Sequence, residues 1–189
     1  MASRSVPTCR REDSILTVVD IQERLAAAMP EGVRQRVFRN AGILLRASAL
    51  LEVPQVMTEQ YPQGLGETDA AVRQYISEHV QYFEKTSFSC CGALGFTSCL
   101  EAVGRRQVVI AGMEAHVCVL QTALELKEAK FAVYVVEDAV CSRTEANCRN
   151  AMGRLRQAGV VVTNTESVLF EWLRHSRQEH FRAISKMVR

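Results

Sequence analysis

The strongest constraint on this chain is a repeated alternation. Runs of four to seven apolar residues, with no polar face, alternate with longer stretches whose apolar residues recur at helical spacing. Ile15–Val19 (ILTVV) and Gln107–Gly112 (QVVIAG) are the clearest runs. A strand that is apolar on both faces needs cover on both faces, which is the condition of a parallel sheet between two layers of helices. The sequence therefore predicts an α/β chain built as a three-layer α/β/α sandwich with six strands. The other four strands are read at 55–58, 80–83, 131–136 and 160–163. Helices are read at 32–51, 69–78, 94–103, 118–129 and 145–158, with two short ones at 167–174 and 179–188. Thr68 is placed to cap the second helix, and residues 61–66, rich in glycine and proline, read as a loop.

At 189 residues, with no internal repeat or linker, the chain reads as a single domain, 1–189, whose residues 1–13 form a flexible N-terminal segment. Lys and Arg number 23 against 21 Asp and Glu, a net charge of +2, too small for a nucleic-acid groove. Apolar runs fall far short of the ~20 residues needed to span a membrane. Seven cysteines without a CxxC pair fit neither a secreted disulfide scaffold nor a zinc ribbon. A cytoplasmic protein with reduced thiols is expected, and the Arg/Ser-rich start leaves a mitochondrial address open. Cys9 is expected on the surface.

Parallel sheets of this kind place ligands at the carboxyl ends of their strands. Asp20, Lys85, Cys118 and Asp138 all fall at or soon after such ends. Singly each has an ordinary explanation as a cap, a surface charge or a packing residue. Together, an acid, a base and a thiol on one rim form a nucleophilic site. A helix start and a neighbouring ammonium favour a thiolate, so these residues predict a Cys118 more acidic than the other six thiols.

Three separated motifs, VVDIQ (18–22), FEKTSFS (83–89) and AGMEAHVCVLQTALEL (111–126), resemble the isochorismatase-like cysteine hydrolases. MTEQYPQGLG (57–66), EDAVCSR (137–143) and TESVLFEWLR (165–174) resemble the branch of isochorismatase-domain-containing proteins. The resemblance implies a strand order of 3-2-1-4-5-6 and a catalytic triad of Asp20, Lys85 and Cys118. It implies an oxyanion hole from the backbone amides of Glu114 and Cys118, with a cis peptide at Met113–Glu114. It also implies a pocket lined by Gln22, Gln60, Phe88 and His116. Metal-using nicotinamidases of the superfamily carry Asp-x-His after the second strand. Here that stretch reads MTEQYPQ, so no metal and no cofactor are expected. His116 as a base for Cys118 is disfavoured, because two residues apart on a turn the side chains diverge.

The leading reading is a hydrolase that opens a C–N bond of a small amide, imide or carbamoyl compound through a thioester. The alternatives are a catalytically silent scaffold of the same fold and an RNA-processing hydrolase. A homo-oligomer is expected, with the apolar segment 168–172 (VLFEW) as buried surface between copies.

Overall fold

The computed structural model describes residues 8–189. In chain order the elements are β1 (Ser14–Val19), α1 (Glu23–Ala27), α2 (Glu31–Leu50), β2 (Gln55–Gln60), α3 (Pro62–Leu65), α4 (Ala70–Arg73), β3 (Gln81–Lys85), α5 (Phe96–Val103) and β4 (Gln107–Met113). These are followed by α6 (Leu120–Glu128), β5 (Ala132–Cys141), α7 (Glu145–Gln157), β6 (Val161–Thr163), α8 (Thr165–Leu173) and α9 (Phe181–Ser185). All strand pairs are parallel, and the order is β3-β2-β1-β4-β5-β6.

Alternation along each strand divides the core into two layers. Leu16, Val18, Val109 and Ala111 face α2, α8 and α9, whereas Ile15, Val19, Val108 and Ile110 face α5, α6 and α7. Every residue of β1 and β4 is buried, as a central parallel strand requires. The chain reverses its direction of growth between β1 and β4, so their carboxyl ends border the crevice where ligands of such sheets bind.

Several local expectations change. Asp69, not Thr68, caps the following helix by accepting from the Ala71 amide, and that helix is a single turn. Thr68 instead donates to Glu59 at 2.6 Å. Pro62–Leu65 forms a helical turn inside the expected loop. β5 runs on to Cys141, because after a bulge Val140 and Cys141 pair with Gly112 and Met113. Asp138 therefore lies within the strand, where its carboxylate accepts the Thr165 amide and hydroxyl, both at 2.8 Å, at the start of α8.

The described part of the N-terminal segment is pinned rather than free. The Arg10 amide donates to Gln107 Oε1 at 2.6 Å, and Gln107 Nε2 donates to the Thr8 carbonyl at 3.0 Å. Cys9 is fully buried rather than exposed, with its sulfur 3.3 Å from Ser14 Oγ. Residues 1–7 lie outside the described residues. The segment 168–172 is also not free surface: Val168, Leu169 and Trp172 are packed in this chain's own core, and Phe170 is its exposed apolar residue.

Candidate active site

Asp20 is the first residue past β1, and its backbone is left-handed, with φ of 49°. Such a conformation in a non-glycine residue persists only where neighbours hold it. Here the Asp20 amide donates to the Thr58 carbonyl at 3.1 Å, and its carbonyl accepts from the Gln22 amide at 2.9 Å. Lys85 is the last residue of β3, two strands away. The two side chains meet above β2: Lys85 Nζ lies 2.6 Å from Asp20 Oδ2, and both side chains are wholly buried. β2 supplies the groups between them. Thr58 Oγ1 donates to Asp20 Oδ1 at 2.7 Å, and Gln60 Oε1 accepts from Lys85 Nζ at 2.7 Å. The carbonyls of Phe88 and Ser87 complete the shell of Lys85 at 3.1 and 3.3 Å. Four oxygens around one nitrogen are the surroundings of an ammonium, which has three protons to share. A buried ion pair offsets its desolvation only when further hydrogen bonds satisfy both partners, as they do here.

Cys118 lies on the π-helical turn Ala115–Val119 that joins β4 to α6, so the expected helix start is a wider turn. Cys118 is 5% exposed, and Asp20 is close enough for its charge to act on the thiol. The acidic thiol expected from Lys85 and the helix start is not what the site holds. Burial first, then the charge of Asp20, push Cys118 up to about 12, against a smaller downward pull from Lys85. The ammonium is already committed to Asp20, so the resting site holds a neutral thiol beside an ion pair. Cys90 is buried beneath it, 3.5 Å from Thr58 Oγ1, and burial pushes it to about 12 as well.

The Met113–Glu114 peptide is cis. Just before it, Gly112 has φ of 128°, and a Cβ there would lie 2.0 Å from the Val19 carbonyl oxygen. Only glycine lets β4 approach β1 this closely. The Glu114 carbonyl accepts from the Val117 and Val119 amides at 3.1 and 3.2 Å.

The four expected pocket residues separate. Gln60 touches Lys85. Phe88 is 57% exposed and contributes its carbonyl to Lys85. Gln22 is fully buried and acts as a clamp: it accepts from the Gln60 amide at 2.7 Å and donates to the Gln60 and Gly66 carbonyls. His116 turns to the β5–α7 corner, with Nδ1 2.9 Å from Ser142 Oγ and Nε2 3.4 Å from Asn147 Nδ2. Both contacts are satisfied when Nδ1 carries the hydrogen. Thr58, which the sequence reading passed over, is the missing member of the site.

A cleft of about 400 Å³ opens beside Lys85, bounded by Tyr61, Ala93 and Leu94. Two roomier clefts, about 760 and 640 Å³, lie between α2, α4 and α9 and between α2, the end of β5 and α7. Neither is lined by the triad residues, and the buried charge pair beside a thiol marks the chemistry better than volume does. Among the described residues there is no group of three or more side chains able to hold a metal ion, and no helix is long and apolar enough to cross a membrane.

The family model described as the isochorismatase domain matches residues 14–167. The chain belongs to the isochorismatase family. Isochorismatase domain-containing protein 2 of Danio rerio is 36% identical over 176 residues, covering 93% of this chain and 86% of that protein. A solved structure named MAR1 ribonuclease, from Caenorhabditis elegans, is 32% identical with a TM-score of 0.89, covering 95% of this chain and 91% of that one. The YcaC gene product of Escherichia coli, described as an octameric hydrolase of unknown specificity, shares the fold at 22% identity and a TM-score of 0.86, covering 94% and 87%. Family membership supports a hydrolase of the cysteine hydrolase superfamily.

Proposed function

We propose that this protein is a cysteine hydrolase that cleaves a C–N bond of a small amide, imide or carbamoyl compound through a thioester on Cys118. The observation that carries this reading is the buried Asp20–Lys85 pair at 2.6 Å, close enough to the buried Cys118 thiol for the Asp20 charge to raise it. Cys118 Sγ attacks the substrate carbonyl as its proton passes to Asp20. The proton then goes from Asp20 to the departing nitrogen, the C–N bond breaks, and the amine or ammonia leaves. Water attacks the thioester, with Asp20 as base, and releases the acid and the thiol. Lys85 orients Asp20 through one carboxylate oxygen, and Thr58 fixes the other. The backbone amides of Glu114 and Cys118 receive the oxyanion, a role that contributes about 3 kcal/mol per donor.

The test is a screen of amides, carbamates and ureides for ammonia release, run beside Cys118→Ala, with intact-mass detection of the acyl-protein. Release that needs Cys118 supports the reading. Release unaffected by Cys118→Ala refutes it, and no turnover or acyl adduct with any member of the screen favours the scaffold. The C. elegans relative's name keeps RNA in the screen. Salt-sensitive RNA cleavage abolished by Cys118→Ala would replace the amide reading. The net charge of +2 weighs against it.

We also read the protein as a homo-oligomer without a cofactor, acting on a small molecule. Its support is the octamer described for the E. coli structure together with exposed Leu94 (98%), Phe88 and Tyr61 near the site. Light scattering that shows only a 21 kDa particle at micromolar concentration refutes it.

A further inference from the structure

The corner between β5 and α7 is tied to the turn that carries the nucleophile, and nothing in the triad explains why. Arg143 holds Glu114 twice through one oxygen: its amide and its Nε donate to Glu114 Oε2 at 3.2 and 3.0 Å. The Glu114 side chain is 8% exposed, while that of Arg143 is 59% exposed. Ser142, next to Arg143, reaches His116 on the same turn at 2.9 Å. Glu114 is thus fixed at both ends, its carboxylate by Arg143 and its carbonyl by the Val117 and Val119 amides. A residue clamped at carboxylate and carbonyl has its backbone held in one orientation, and preorganisation of a donor is what stabilises a developing oxyanion.

We propose that Arg143 is a positioning residue for the reaction: by gripping the Glu114 carboxylate it aims the Glu114 amide at the oxyanion. This rests on the thioester reading above. Arg143 touches no reacting atom, so its removal should change one kind of chemistry at Cys118 and spare another. Acylation by p-nitrophenyl acetate forms an S–C bond at the carbonyl and expels p-nitrophenolate as the thiol proton goes to Asp20, and an oxyanion develops on the way. Alkylation by iodoacetamide displaces iodide at a saturated carbon, and no oxyanion forms.

The experiment measures both rates at Cys118, by nitrophenolate release and by peptide mass, in the full chain and in Arg143→Ala, Arg143→Lys and Glu114→Gln. Arg143→Ala should slow acylation about tenfold, short of the ~10²–10³ for a donor removed outright, and leave alkylation within about twofold. Arg143→Lys should recover most of the loss, because an ammonium still reaches the carboxylate. Arg143→Ala leaves a buried carboxylate without its ion-pair partner, so Glu114→Gln, which removes that charge, is the second arm and should slow acylation selectively as well. Equal slowing of both rates would make Arg143 a structural support of the whole turn and overturn the inference. Unchanged acylation in Arg143→Ala and Glu114→Gln would overturn it too. Nitrophenolate release that survives Cys118→Ala at the full rate would overturn the thioester reading and this inference with it.

Discussion

Replacing Asp20 by asparagine should make Cys118 easier to alkylate while making the protein a poorer catalyst. The magnitude follows from the resting site. With its thiol at about 12, Cys118 is ionised to only about 3 parts in 10⁵ at pH 7.5, roughly 3000-fold less than an exposed thiol near 8.5. A more basic thiolate is the better nucleophile, and a Brønsted slope of ~0.45 returns about 40-fold of that loss. Wild-type Cys118 should therefore react with iodoacetamide about 70-fold more slowly than a free thiol. Its rate should keep climbing with pH, with no plateau between pH 8 and 10. In Asp20→Asn the like charge is gone and the Lys85 ammonium is left facing the sulfur. A neighbouring charge of this kind moves a thiol by about one to three pH units. Taking two, and discounting for the weaker nucleophile, labelling at pH 7.5 should rise about tenfold.

The assay is the pH profile of alkylation at each cysteine by peptide mass, with circular dichroism to confirm folding, since unpairing a buried Lys85 costs about 3–5 kcal/mol. In the wild type the partly exposed Cys91, Cys99 and Cys148 should label before Cys118, and the buried Cys9, Cys90 and Cys141 should lag. A wild-type Cys118 plateau below pH 9, or slower labelling in Asp20→Asn, would refute the account of the resting site. Turnover should fall in the same variant, because the proton acceptor has gone. Labelling and turnover moving in opposite directions is the signature of a base that also suppresses its own nucleophile.

Thr58→Val removes the hydroxyl that donates to Asp20 Oδ1 at 2.7 Å. A hydrogen bond to a charged group contributes about 1.5–3 kcal/mol, so kcat on the substrate found in the screen should drop roughly 10- to 150-fold, and an unchanged kcat would contradict the role given to Thr58. Gly112→Ala drives a Cβ into the Val19 carbonyl at 2.0 Å; a cost of about 3 kcal/mol should lower Tm by about 6–12 °C, and a shift under about 2 °C in calorimetry would contradict the packing. Burial holds Cys9, Cys90, Cys118 and Cys141 at about 12. The native state keeps these protons where the unfolded chain releases them, so their contribution to stability is intact below about pH 9 and lost as pH rises toward 12, at up to about 1.4 kcal/mol per pH unit for each thiol. Urea melts from pH 8 to 10.5 with a constant midpoint would contradict that.

The sheet was legible because its signal is redundant. Each central strand repeats the same apolar demand on both faces, and residues such as Leu16 and Ile15 divide between the two helical layers by simple alternation. Element ends were less legible, since they depend on partners distant in sequence. β5 continues past Val136 only because Val140 finds Gly112 across a bulge, and no property of residues 137–141 alone announces it. The apolar stretch 168–172 carried the right hydrophobicity but not its destination: it packs beneath this chain's own sheet, with Trp172 Nε1 donating to Ser14 Oγ at 3.0 Å. At the site, acid, base and thiol stood out because they fall together at the carboxyl ends of the strands, where sheets of this kind bind ligands. Thr58 did not, since a threonine in a strand is ordinary. The available signal was its spacing from Gln60: i and i+2 on β2 project from the same face, and both reach the Asp20–Lys85 pair.

The reversal at Cys118 shows what kind of knowledge the residue list lacks. From sequence, Lys85 and the helix start favour a thiolate and Asp20 opposes it as a like charge, and the sum predicts an acidic cysteine. The sum fails because charges do not act independently once buried. Lys85 lies 2.6 Å from Asp20, so seen from the sulfur its charge is outweighed by that of Asp20. What remains is the cost of burying an anion in a site that is 5% open, and that cost favours the neutral thiol. Under the proposed function, a protein arranged this way would keep its nucleophile protected until a carbonyl arrives to take up the negative charge. On the thioester reading the thiolate would then never need to accumulate: the proton would leave sulfur for Asp20 as the charge moves on to the substrate oxygen, where amide hydrogens rather than Lys85 would receive it.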